Sequence, residues 1–115
     1  MIRNITRKTI IAKNQIILNT LAGHMAGLMF KREITPHVLL FEREKRVSLH
    51  TFFVSAPIDL MFVNKDNTVV ELKENLAPFS LYFPQMRALF IIEAPSGTIR
   101  KTRSQINDKI VYNTS

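Results

Sequence analysis

Short apolar runs alternate with polar breaks along this chain, and neither is sustained for long. Thr9-Ile10-Ile11-Ala12 and Gln15-Ile16-Ile17-Leu18 flank Lys13-Asn14 and read as two strands joined by a tight hairpin turn. Val38 to Phe41 is a third apolar run. From Val47 to Phe53 the pattern alternates: Val47, Leu49, Thr51 and Phe53 point one way, Ser48, His50 and Phe52 the other. Ile58 to Val63 is apolar on both faces except at Asp59, the signature of a buried central strand. Asn64-Lys65-Asp66-Asn67 supplies a turn, and Thr68 to Leu72 returns. Ala88 to Glu93 is a further β-rich run, and Ile110-Val111-Tyr112 closes the chain after an Asn107-Asp108 turn. One helix is predicted near residues 20–28, capped by Thr20, with Leu21, Met25 and Leu28 on one face. Gly23 inside it costs about 1 kcal/mol relative to alanine, so the helix is expected to be short. The expected fold class is mainly β. It is a small β-barrel or sandwich with that one short α-helix, built as a single domain over residues 1–115.

Composition narrows the function classes. With 115 residues, 46% of them apolar and 22% charged, the chain has ordinary globular character. Cysteine is absent, which excludes disulfides, Cys-ligated zinc, iron–sulfur clusters and thiol catalysis. No apolar stretch follows the basic first residues as a signal peptide requires, and Ala88 to Ile92 is too short to span a bilayer. A soluble cytoplasmic protein with no membrane partner is expected. Sixteen basic residues against nine acidic ones give a net charge of +7. Residues 1–32 carry six basic groups and no acid, residues 33–97 six basic and eight acidic, and residues 98–115 four basic and one acidic. The excess therefore belongs to the ends. Either the ends pair into one basic face suited to nucleic acid or another polyanion, or their lysines and arginines keep edge strands unpaired.

Candidate chemistry concentrates between His50 and Asp59. If the strands carrying them pair, an imidazole–carboxylate contact forms in which Asp59 fixes the His50 tautomer. A hydrolase also needs a nucleophile, and Thr51 points to the face opposite His50. Ser48 and Ser55 lack the Gly-x-Ser-x-Gly elbow. Asp59 has a competing role as acceptor of backbone N–H bonds that pins the chain's entry into the core. His24, His37 and His50 include no pair at ligand spacing, so no metal is expected. Without a Gly-rich loop no nucleotide cofactor is expected either. Most aromatic residues lie among apolar neighbours and read as core. Phe79, Tyr82 and Phe83 instead lie between Pro78 and Pro84, with Arg87 just beyond, and form a candidate exposed loop for a ligand or partner.

Gly27-Leu28-Met29-Phe30-Lys31-Arg32 comes first, and His50-Thr51-Phe52-Phe53-Val54 with Pro57-Ile58-Asp59 follows about twenty residues later. Together they resemble the uncharacterised prokaryotic family called domain of unknown function 192, in its archaeal form. The similarity continues through Lys65 to Val70, Glu93-Ala94-Pro95-Ser96-Gly97 and Asn107-Asp108. The chain departs from the family pattern at His24, where arginine is usual, at Val54, where methionine is usual, and at Asn107, where glycine is usual. The resemblance implies a compact, mostly β domain and no particular activity. The favoured function is a non-enzymatic binding or interaction module for an unidentified small ligand or protein partner. Its binding residues are Arg32, His50, Phe52, Asp59 and Tyr82, with Gly27, Met29, Pro57 and Gly97 as structural motif positions. Nucleic-acid or polyanion binding through the basic termini is the alternative, and an enzyme using His50 and Asp59 is the third reading.

Overall fold

Every residue from Ile58 to Val63 is buried, so that segment's backbone amides and carbonyls must be paired with neighbours on both sides. The computed structural model, which describes residues 1–18, 36–51 and 55–113, shows how. In chain order its elements are β1 (Ile2–Asn4), β2 (Thr9–Ala12), β3 (Ile16–Leu18), β4 (His37–Lys45), β5 (Leu49–His50) and β6 (Ile58–Val63). Then come β7 (Val69–Leu76), β8 (Leu81–Tyr82), β9 (Ala88–Pro95), the short helix α1 (Thr98–Thr102) and β10 (Ile110–Tyr112). Strand β6 lies between β9 and β7 in a five-stranded sheet of order β3-β4-β9-β6-β7. A second sheet has the order β10-β1-β2, and β5 pairs with β8.

The alternation in β6 sorts the core into two parts. Met61 and Val63 face a cluster that includes Ile2, Ile11, Ile99 and Ile110, contributed by β1, β2, α1 and β10. Ile58, Leu60 and Phe62 face the opposite cluster with Leu39, Leu49, Leu76 and Ile91, against which Tyr82 packs. The five-stranded sheet is thus covered on both faces, which explains why β6 and most of β9 are buried. The three-stranded sheet and α1 form one cover, giving a sandwich-like, mainly β fold.

Several local expectations change. Among the described residues the sheets do not close into a barrel, because β3 and β7 remain separate edges of the larger sheet. Lys13-Asn14 is not a hairpin turn. It carries the chain from β2, antiparallel to β1, to β3, which runs parallel to β4 in the other sheet. The helix expected near 20–28 lies outside the described residues. The Asn64–Asn67 turn does join β6 and β7, with Asn64 Oδ1 accepting the amides of Asp66 and Thr68 and Asn67 at φ 61°. No helix among the described residues is long and apolar enough to cross a membrane.

The two basic end segments meet, since β1 pairs antiparallel with β10. The closure is secured by the buried carboxylate of Asp108. Its Oδ2 accepts from Asn4 Nδ2 at 2.9 Å, Arg7 Nε at 3.0 Å and the Gln105 amide at 2.9 Å. Asn107 before it takes φ 77°, a left-handed conformation that asparagine tolerates. Burial alone raises the Asp108 pKa, but the hydrogen bonds from Arg7, Asn4 and Gln105, with the Arg7 charge, outweigh it and hold the group below its ordinary 3.8. The folded state therefore binds this proton less readily than the unfolded chain. The resulting stability is present above pH 3.8 and lost as pH falls through the lowered folded value. Asp108→Asn is expected to cost roughly 2 kcal/mol at neutral pH. In melting experiments the gap between variant and parent narrows as pH falls below 3.8, and a gap that stays constant contradicts this account.

Candidate functional site

Asp59 stands on the face of β6 that carries Met61 and Val63, and no part of it reaches solvent. Its Oδ1 accepts the Asn75 amide at 2.9 Å and its Oδ2 the Ile99 amide at 2.8 Å. The first bond holds β7 where Asn75 adopts φ 55°, close to a register shift between β6 and β7. The second supplies an N-terminal acceptor to α1, whose own N-cap is Gly97 and offers no side-chain bond. Gly97 sits at φ 95°, where a side chain is strained although a Cβ would meet no atom within 4 Å. The Pro57 carbonyl accepts the Ser96 amide at 3.3 Å. The Pro57-Ile58-Asp59 and Glu93-to-Gly97 segments thus converge. An open cleft of about 350 Å³ beside them is lined by Asp59, Glu74, Asn75, Ser96, Gly97 and Arg100.

The structure does not join His50 to Asp59. The carboxylate's hydrogen bonds go to backbone amides, and His50 lies on β5, opposite Leu81 of β8. The imidazole and carboxylate that do face each other across a ladder are His37 on β4 and Glu93 on β9, both buried. Glu93 belonged to a legible motif, but its partner became visible only with the strand register.

Strand β5 does meet the aromatic loop. The Thr51 amide donates to the Ser80 carbonyl at 2.9 Å, and the Phe79 amide donates to the Thr51 carbonyl at 2.8 Å. The buried Thr51 hydroxyl donates to the Ala77 carbonyl at 2.6 Å and accepts the Ser80 amide at 2.9 Å. The loop is anchored again by Glu71 of β7. Its Oε2 accepts the Tyr82 hydroxyl, and its Oε1 accepts the amides of Gln85 and Met86, each at 2.9 Å. The Tyr82 ring packs on Phe62 at 5.7 Å between centroids. Burial, the Glu71 hydrogen bond and the Glu71 charge push the Tyr82 pKa up to about 12, so the phenol remains a donor at neutral pH. Pinned in this way, the loop leaves Phe79 75%, Leu81 55%, Phe83 67% and Met86 46% exposed. Four large apolar side chains from one short segment are thus exposed.

Beside that segment runs an open groove of about 610 Å³, lined by Arg43, Glu44, Lys45, Arg46, Val47, Gln85 and Arg87. Of the residues singled out from the sequence, Arg32, Phe52, Gly27 and Met29 lie outside the described residues. Among the described residues no group of three histidine, aspartate or glutamate side chains is placed to hold a metal ion.

Comparison with known proteins gives a consistent result. Residues 5–112 match the family model DUF192, described as Uncharacterized ACR. The chain is 36% identical over 88 residues to a UPF0127 protein of Pyrococcus horikoshii, covering 75% of this chain and 76% of that one. A UPF0127 protein of Pyrococcus furiosus is 34% identical over 89 residues, with 76% of each chain covered. Among solved structures, a protein of unknown function from Novosphingobium aromaticivorans superposes with a TM-score of 0.78 at 20% identity, over 85% of this chain and 74% of that one. A likeness at that identity shows the fold alone.

Asp59→Ala leaves two amides without their acceptor and is expected to destabilise by roughly 2–5 kcal/mol in denaturant unfolding. An unchanged midpoint contradicts the anchoring role. Tyr82 and Tyr112 are the only tyrosines. In Tyr112→Phe protein the phenolate absorbance is therefore expected to titrate near pH 12, and adding Glu71→Gln moves it down toward 10. A titration that Glu71→Gln leaves in place refutes the pairing.

Proposed function

We propose that this chain, which belongs to the uncharacterised family DUF192, works as a non-enzymatic binding module, a single domain acting in the cytoplasm. One observation carries the reading. The segment from Phe79 to Met86 is fixed at its backbone by Thr51 and Glu71, yet it turns four large apolar side chains outward. An apolar loop of no use is ordinarily shielded or mobile. A loop whose backbone is held by buried or carboxylate acceptors presents its side chains in one arrangement, which reduces the ordering cost of binding. The Asp59 carboxylate is occupied by two amides, so an acid–base role for it with His50 has no support from the geometry. His50 and Tyr82 serve this reading through β5 and β8, the strands that support the loop.

The alternative is polyanion binding through the basic ends. It is favoured by the pairing of β1 with β10, which brings Arg3 beside Val111 and places the Arg100, Lys101 and Arg103 segment on the same cover.

A thermal-shift panel of sugars, metabolites, peptides, nucleic acids and simple anions tests the binding reading. At least one class is expected to stabilise the protein, by about 2.7 kcal/mol at a hundredfold excess over Kd. Phe79→Ser with Phe83→Ser removes that stabilisation while leaving the unliganded melting temperature in place. No stabilising class, or stabilisation indifferent to both substitutions, rejects it.

A further inference from the structure

We propose that the groove at the end of β4 binds the phosphate backbone of single-stranded nucleic acid. The proposal rests on the reading of the Phe79–Met86 segment as a binding surface, and it names the ligand class.

The groove owes its existence to an irregularity in the β4–β9 ladder. Leu40 faces Phe90, but the next paired residues are Lys45 and Ala88. Phe41 to Glu44 on β4 therefore lie opposite a single intervening residue of β9, Leu89. Bulges of this kind re-aim side chains. Here the result is that Arg43, Lys45 and Arg46 line the same groove as Arg87, which precedes β9. None of these four cations has a hydrogen bond or ion pair among the described residues. The one acid in the lining, Glu44, has its Oε2 on the Lys65 amide at 2.8 Å. Four cations against the single Glu44 carboxylate leave the groove with a net positive charge, which favours an anion carrying several negative groups.

The neighbouring loop indicates which anion. Gln85 and Arg87 line the groove, and Phe83 and Met86 project from the same short segment. Phe83 lies two residues from Gln85, so the chain separates their backbones by no more than about 7 Å. A row of cations beside exposed aromatic faces matches a strand with a charged backbone and unstacked bases. A duplex, whose bases are already stacked, has no use for the aromatic faces.

Fluorescence anisotropy with a short labelled oligothymidylate, its matched duplex and pyrophosphate provides the test. The single strand is expected to bind with a log–log salt slope near −3, from about −0.7 for each of four neutralised phosphates. Arg43→Gln with Arg87→Gln weakens binding at least tenfold and flattens the slope by about 1.4. Arg3→Gln with Lys101→Gln changes neither quantity. The proposal is overturned if no single strand binds at about 50 mM salt. It is equally overturned if the duplex binds as tightly, if pyrophosphate binds and the oligonucleotide does not, or if the loss follows Arg3 and Lys101. Phe79→Ala with Phe83→Ala separates the two claims: it is expected to weaken binding at an unchanged salt slope. If these loop substitutions have no effect while the groove substitutions do, the groove stands and the loop reading falls. The reverse result rejects the groove and keeps the loop.

Discussion

A carboxylate sealed away from water has to be given its hydrogen bonds by the protein around it. Asp59 imposes that condition at the centre of the fold. It sits on a strand flanked on both sides, facing the layer that contains α1. The Ile99 amide must come to it from α1 and the Asn75 amide from β7. Helix position, the left-handed backbone at Asn75 within β7 and the approach of the Ser96-Gly97 segment are all tied to the same demand. Asp108 repeats the device at the seam of the smaller sheet, where it gathers Asn4, Arg7 and Gln105. Two buried acids from distant parts of the chain thus organise most of the irregular backbone around one cover of the sandwich.

What was legible in the sequence and what was not follow from the range of the forces involved. The run at Ile58–Val63, apolar except at Asp59, identified the central strand, because burial on both faces leaves no room for alternation. The Asn-rich turn after it was equally local. Helix α1 was not predicted, because its N-terminal acceptor is a side chain forty residues earlier in the chain and Gly97 carries no cap of its own. The Lys13-Asn14 turn misled for a related reason: the spacing suits a hairpin, but β3 finds its place beside β4, a parallel partner that only the tertiary fold supplies. Of the candidate site, the loop around Tyr82 was recognisable from its bracketing prolines and aromatics. The anchoring role of Glu71 was not, since nothing near it in sequence distinguishes that acid from any other on a strand.

Charge shows the same division. By segment count the middle of the chain is slightly acidic. In space four of its eight acids are turned inward or onto backbone: Asp59 and Glu93 are buried, Glu71 holds the loop, and Glu44 holds the Lys65 amide. Arg43, Lys45, Arg46 and Arg87 are left to define the surface of one groove. Net charge along a sequence says little about local potential when one sign is consumed in building the fold.

The pairing of β1 with β10 also sets an order of events during synthesis. Strand β1 is synthesised long before its partner β10. At translation speeds of about 5–20 residues per second, Asn4 waits on the order of ten seconds for Ser104, Asp108 and Ile110. Until then β1 has only β2 beside it, with its other edge unpaired, and the buried surface of Ile2 has no cover. The smaller sheet is therefore complete only once β10 has been made, long after the strand it pairs with.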